Sequence, residues 1–266
     1  MENSNIVKLN DVRCVVLSDI HQDIEWVDRV LFKENPIDSF DYVIINGDWF
    51  DTHQDCMPSL EKVCNYIDSL IERLGDRLIV NVGNHDIPYY YAWYHYKNTY
   101  GKVHALPYPC SGYNNSKARI ISKCLKEDVI KRAHLVVFVN GHLISHAGVL
   151  PNLFPYFGDD EDSDQKALNK LLEDSEKAWR DFRVCHDSPF FGCGPARGGD
   201  DSFGGVLWAD WHDEFFDGLP YPQIVGHTII KKGDIKKGRC WNLDGGQTRY
   251  AILHPSGDVE IKFSQK

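Results

Sequence analysis

The sequence predicts an α/β fold. Short apolar runs of strand length alternate with longer stretches whose apolar residues recur at helical spacing, the pattern of strands and helices taking turns along a chain. Five of the apolar runs deliver aspartate, asparagine or histidine at or near their carboxyl ends, and in open α/β sheets ligands bind beyond the carboxyl ends of the strands. A chain of 266 residues with 42% hydrophobic and 26% charged residues has an ordinary globular balance and length enough for a sizeable core.

Taken in order, CVVLS (14–18) is the first strand, followed by a helix over 23–33 and a second strand, YVIIN (42–46). A helix over 58–74 comes next, with Leu60, Val63, Cys64, Ile67, Leu70, Ile71 and Leu74 on one face and Pro58 in its first turn. LIVNV (78–82) is the third strand, and GNHD follows it, with Pro88 closing the run. LVVFVN (135–140) and LISHA (143–147) flank Asn140-Gly141, a strong hairpin signal. QIVGH (223–227) is the next strand. RCWNLD and a second hairpin turning at 255–258 complete the pattern.

There is no internal repeat, and the chain reads as one domain, 1–266, with insertions at about 89–132 and 150–205. The first insertion opens with YYYAWYHY, which reads as packing rather than a binding platform. The second carries an acidic run at 158–164, read as a solvated loop, and a helix over 165–182. The basic run Lys231, Lys232, Lys236, Lys237 and Arg239 reads as a solvated hairpin.

The formal net charge of −10 argues against a nucleic-acid-binding surface and, more weakly, against anionic membranes. No apolar run is long enough to span a bilayer. The amino terminus lacks the basic and apolar regions of a secretory signal, so the eight scattered cysteines are expected to be reduced thiols in a cytoplasmic protein. Cys185, His186 and Cys193 match no standard zinc spacing.

The chemistry lies at the run ends. Asp19 and His21 follow the first; Asp48 and Asp51 follow the second; Asn84, His85 and Asp86 follow the third. His146 lies in the hairpin's second strand, and His227 ends QIVGH. Carboxylates, imidazoles and an amide oxygen suit divalent cations harder than those taken by thiolate sites, such as Mn²⁺, Fe or Zn²⁺. Strand alternation is expected to put Asp19 and His21 on one side. Asp86 is expected to cap the following turn.

The order Asp-x-His, Gly-Asp-x-x-Asp, Gly-Asn-His-Asp, His, Gly-His resembles the calcineurin-like metallophosphoesterase superfamily. The stretches ARGG (196–199) and GGVLWADW (204–211), with Gly226-His227-Thr228, resemble its phosphoprotein-phosphatase branch. The resemblance implies a four-layer α/β/β/α sandwich of two mixed sheets flanked by helices, the metallo-dependent phosphatase fold. It implies two divalent metal ions, Mn²⁺ ahead of Fe or Zn²⁺. One would be held by Asp19, His21 and Asp48, the other by Asp48, Asn84, His146 and His227. His85, oriented by Asp51, would protonate the leaving group while a metal-bridging hydroxide attacks in line.

Two departures refine the resemblance. Thr228-Ile229 stands where many members have a second histidine, as in the phosphoprotein-phosphatase branch. Thr52 and His53 stand where that branch carries Arg-Gly, so one phosphate-gripping arginine is absent and Arg197 is the remaining candidate. His53 reads as a bystander. The implied reaction is hydrolysis of a phosphate monoester, with phosphoserine or phosphothreonine in proteins as the first choice, as for a serine/threonine protein phosphatase, or a small phosphoester as substrate. The alternatives are a nucleotide-type phosphodiesterase or dinucleoside polyphosphate hydrolase, and a scaffold with a retained metal site and no turnover. The intact His85–Asp51 pair speaks against the scaffold.

Overall fold

The computed structural model describes residues 6–52, 59–98, 107–108 and 110–264. Pro58 and His53 lie outside the described residues, as does the side chain of Lys232. In chain order the strands are β1 (Lys8–Leu9), β2 (Cys14–Leu17), β3 (Tyr42–Asn46), β4 (Leu78–Asn81), β5 (Ala133–His134), β6 (Val136–Val139), β7 (His142–Ser145), β8 (Gln223–Val225), β9 (Lys236–Lys237), β10 (Cys240–Asn242), β11 (Arg249–Leu253) and β12 (Val259–Phe263). The α-helices are α1 (Ile24–Arg29), α2 (Leu60–Leu74), α3 (Ile87–Asn98), α4 (Asn115–Cys124), α5 (Glu127–Lys131) and α6 (Glu161–Asp181).

The strands form two mixed six-stranded sheets, ordered β1-β6-β7-β8-β10-β9 and β12-β11-β2-β3-β4-β5. In the second sheet β2, β3, β4 and β5 run parallel. In the first, β7 pairs parallel with β8. Alternate side chains separate two cores. Val16, Ile44, Ile144, Ile224 and Ala251 meet between the sheets, while Val15, Leu17, Val43, Ile45 and Val80 face the helices. Burial on both faces explains why these strands are continuously apolar. The outer face of the first sheet is covered partly by α6, packed on β6, and partly by Ala209, Trp211 and Phe215 of an irregular segment.

Local chemistry accounts for the element ends. Asn140 and Gly141, with φ of 47° and 83°, form the two-residue turn between β6 and β7, where Val139 pairs with His142. The side chain of Asp23 accepts a hydrogen bond from the Trp26 N–H and starts α1, which runs on into a π turn at Val30–Glu34. Ser59 caps α2, and Gly75 closes it at φ 57°. Val63, Cys64, Ile67, Leu70 and Leu74 are buried as expected, whereas Leu60 and Ile71 lie at the margin.

Two expectations, the acidic run and the basic run, need correction, while the aromatic stretch packs as expected. The acidic run is not only a solvated loop: Asp160 caps the N–H of Ser163, and Glu161, Asp162 and Asp164 occupy the first turn of α6, where carboxylates favour the helix dipole. The helix therefore begins four residues before 165. Tyr89 to Trp93 are buried within α3; because this helix is apolar around much of its circumference, no periodic stripe announced it. The basic run does form the β9–β10 hairpin, but Lys237 donates to the Trp211 and Phe215 carbonyls and Arg239 pairs with Asp217 at 2.7 Å. Those two cations hold the loop over the first sheet and are not merely solvated.

Candidate metal centre

The carboxyl ends of β2, β3 and β4 in one sheet and of β7 and β8 in the other open on the same side of the sandwich. Two buried asparagines join these ends. Asn46 Nδ2 donates across the sheets to the Ser145 carbonyl at 2.9 Å. Asn81 Nδ2 donates to Asn46 Oδ1 at 2.8 Å and to the Ile144 carbonyl at 3.1 Å. The sequence shows Asn46 ending YVIIN and Asn81 within LIVNV but gives neither residue this linking role.

The backbone then leaves the strand conformation. Asp19, His21, Asp48, Asp51 and His227 have φ of 56°, 45°, 56°, 60° and 68°. Left-handed backbone at non-glycine residues costs on the order of 1–3 kcal/mol each and concentrates at functional sites. It also corrects the alternation argument: β2 ends at Leu17, and Asp19 and His21 face one another through this turn geometry rather than through a strand.

Asp86 does not cap the following turn. Its Oδ2 accepts from the N–H groups of Asp48 at 2.8 Å and Gly83 at 3.0 Å, and its Oδ1 accepts from Trp49 at 2.8 Å. This buried carboxylate binds the loops after β3 and β4 to each other. The approach is so close at Gly83 that a Cβ there would lie 2.0 Å from Asp48 Oδ1 and 2.4 Å from the Asp48 backbone nitrogen. Gly83→Ala is therefore expected to cost about 1–3 kcal/mol, a fall of roughly 2–12 °C in the thermal midpoint, checked by calorimetry.

The candidate residues converge in two groups that share one carboxylate. Donor atoms of Asp19, His21 and Asp48 lie within 4.8 Å of one another. Asp48 Oδ2 is 3.7 Å from His21 Nε2 and 3.3 Å from His146 Nε2. Asn84 Oδ1 is 2.9 Å from both His146 Nε2 and His227 Nδ1. Asp48 thus stands between the groups, with its Oδ1 accepting from the His85 N–H at 2.9 Å.

Tautomers test whether cations fit. His21 Nδ1 lies 2.6 Å from the Asp51 carbonyl and His146 Nδ1 lies 2.9 Å from the Asn46 carbonyl. A carbonyl only accepts, so each Nδ1 carries the hydrogen. In the neutral ring Nε2 is then a lone pair, and both lone pairs point toward carboxylate or amide oxygens. Lone pairs facing lone pairs repel unless a proton or a cation sits among them, and outer carbonyls that fix the ring in this way are the usual support of metal-ligating histidines.

The electrostatics agree. Burial, and the neighbouring Asp48 charge, raise the Asp19 carboxyl. Burial alone would also raise Asp48, but His146, His85 and His21 outweigh it and hold that group ionised. Burial opposes charge on His146, yet Asp48 pushes it up to about 9. His227 is held well below its usual range by burial, with His146 and Arg197 adding to the effect. A neutral imidazole beside buried carboxylates is a donor set for divalent cations.

Beside this centre, His85 Nδ1 is 3.2 Å from Asp51 Oδ2. Burial would depress the His85 imidazolium, but Asp48, with hydrogen bonds to Asp51 and Cys110, pushes it up to about 11. Asp51 Oδ1 accepts from Tyr89 Oη at 2.7 Å and from Lys117 Nζ at 2.6 Å. Lys117, on α4, and Cys110, before it, were not singled out in the sequence; only the packing of α4 against α3 brings them here. Arg197 lies on the opposite flank. Its Nε is 2.9 Å from Asp210 Oδ2, and its Nη2 donates to the hydroxyl of Thr228, next to His227. Among the described residues, Cys185, His186 and Cys193 form no such donor cluster.

Comparisons with known proteins agree with the geometry. The calcineurin-like phosphoesterase family matches residues 12–231. No curated protein sequence matches. Among solved structures, a cold-active protein-tyrosine phosphatase of the psychrophile Shewanella sp. is 13% identical with a TM-score of 0.54, covering 98% of this chain and 84% of that one. A serine/threonine phosphatase from Saccharomyces cerevisiae, similar to human phosphatase PP5, is 14% identical with a TM-score of 0.50, covering 99% and 85%. A candidate diadenosine tetraphosphatase is 16% identical with a TM-score of 0.50, covering 99% of each chain. At these identities the structures establish the fold. The family match spans most of the chain, and the protein belongs to the calcineurin-like phosphoesterase family as a metallophosphoesterase.

Proposed function

We propose that the protein hydrolyses phosphate monoesters, with phosphorylated side chains of proteins as the leading substrate class. The observation that carries this reading is the His85–Asp51 contact at 3.2 Å beside the two donor groups. An alkoxide or phenoxide leaves poorly unless it is protonated, and a positioned imidazole supplies that proton. Similar folds include phosphatases named for phosphotyrosine and for phosphoserine or phosphothreonine, both of them monoesters.

Asp19, His21 and Asp48 would hold one cation, and Asp48, Asn84, His146 and His227 the other. Mn²⁺ is the first choice, with Fe or Zn²⁺ as the alternatives. Two such ions, when bound, neutralise phosphate oxygens and make water acidic enough to attack near neutral pH. The chain's own residues do the rest. Asp51 holds His85 through Nδ1, and Tyr89 and Lys117 hold Asp51. His85 gives its proton to the departing oxygen. Arg197, kept beside His227 by Asp210 and Thr228, would grip phosphate oxygens through its guanidinium fork.

The segments 89–132 and 150–205 are proposed as insertions in one domain that complete the site, the first with Lys117 and the second with Arg197. No described helix is long and apolar enough to cross a membrane, and a cytoplasmic setting with reduced thiols is proposed. A second reading, a dinucleoside polyphosphate hydrolase, draws support from the candidate diadenosine tetraphosphatase of matching extent. Turnover of p-nitrophenyl phosphate against bis-p-nitrophenyl phosphate by Mn²⁺-loaded protein separates ester classes. Faster turnover of the monoester is expected; fast diester cleavage with little monoester activity would overturn the first reading.

A further inference from the structure

Among the described residues, Cys110 is the one thiol drawn into the site. It is partly buried, and its Sγ lies 3.2 Å from His85 Nδ1. Asp51 Oδ2 lies 3.2 Å from the same nitrogen. Donor atoms of Asp51, His85 and Cys110 all fall within 4.8 Å of one another, a cluster separate from that of Asp19, His21 and Asp48. The three residues come from three segments: the loop after β3, the loop after β4 and the approach to α4.

The spacing suits a small cation. In a tetrahedral zinc site with bonds of about 2.0–2.3 Å, neighbouring donors lie roughly 3.3–3.7 Å apart. The 3.2 Å separations of His85 Nδ1 from Asp51 Oδ2 and Cys110 Sγ need only a few tenths of an ångström of expansion. The carboxylate is already oriented, because Tyr89 and Lys117 engage Oδ1 and turn Oδ2 toward His85. One sulfur, one nitrogen and one oxygen select a thiophilic ion such as Zn²⁺ or Cd²⁺ over Mn²⁺.

We propose that Asp51, His85 and Cys110 form a third cation site, selective for zinc-like ions, whose occupation inhibits the enzyme. Binding releases the thiol proton of Cys110 and the Nδ1 proton of His85 to solvent. The ion takes the place of the hydrogen shared by His85 and Asp51; the Nε2 proton stays on the ring, but giving it up would then leave an imidazolate rather than a neutral imidazole, so the ring is no longer a ready acid. The inhibition rests on the general-acid reading of His85; the binding does not.

The test uses full-length protein loaded with Mn²⁺ and increments of Zn²⁺ or Cd²⁺. Wild-type protein is expected to take up one extra Cd²⁺ per chain with a short-wavelength ultraviolet thiolate-to-cadmium charge-transfer absorption, read as a difference spectrum. Zn²⁺ is expected to lower its turnover of phenyl phosphate at least tenfold. Cys110→Ser, compared with its own zinc-free rate, is expected to lose the absorption and at least most of the inhibition. Equal zinc inhibition of Cys110→Ser would overturn the proposal and point to exchange at the paired-metal centre. Absence of the cadmium–thiolate band in wild type would overturn it whatever the activity. A band without inhibition would overturn the regulatory assignment alone. Failure of the parent reading is recognised separately, by no ester turnover in the Mn²⁺-loaded protein.

Discussion

Asp48→Asn is expected to leave the protein folded but unable to retain two metal ions, with turnover of p-nitrophenyl phosphate reduced about 10³-fold or more. The size follows from the several kcal/mol that paired cations contribute to a phosphoryl transition state, at about 1.4 kcal/mol per factor of ten. The substitution is chosen for geometry. Asparagine keeps an oxygen at the place where Asp48 Oδ1 accepts from the His85 N–H, so the loop after β4 keeps its anchor. What is lost is the charge on the carboxylate between His21 and His146. Metal-to-protein ratio by elemental analysis and the steady-state rate check the result together. Two tightly held ions in Asp48→Asn would show that this carboxylate does not bridge them.

His85→Ala is expected to behave differently: both ions remain, and kcat falls about 10²–10⁴-fold, the usual contribution of a positioned proton donor. The loss should depend on the leaving group. Phenyl phosphate, whose phenoxide needs the proton, suffers most; 2,4-dinitrophenyl phosphate, whose leaving group departs unaided, suffers least. A uniform loss across both esters would reassign His85 to a role in loop structure, which its backbone N–H to Asp48 also serves. The high proton affinity of His85 depends heavily on Asp48, and cations on that carboxylate offset this contribution. The working protonation state is therefore set jointly by the metal centre and by Asp51.

The strands were legible because burial on both faces demands unbroken apolar runs, and YVIIN, for example, became β3 at its expected bounds. Helix α2 was legible because one face is apolar and the other wet. Helix α3 was not, since a helix buried around much of its girth has no stripe, and α4 is a short helix that buries only Ala118, Ile121 and Ser122, too few for a periodic pattern. The same division holds at the site. Asp19, His21, Asp48, Asn84, His85, His146 and His227 were visible because each follows or closes an apolar run, and strand ends are where such folds place ligands. Cys110 and Lys117 carried no comparable signal; Asn46 closes YVIIN and Asn81 interrupts LIVNV, but local pattern does not reveal that their amides link the two sheets.

By itself the sequence determined the α/β class, the family and a set of polar residues at five strand ends, because those properties are written in local order and residue type. Only the tertiary structure decided that Asp48 lies between two donor groups, that His21 and His146 turn Nε2 inward, and that a thiol and an ammonium join His85 and Asp51. Those facts depend on distances between residues far apart in the chain and on left-handed turns that local pattern does not encode. Such turns persist only when the packed sheets around them hold the backbone in place.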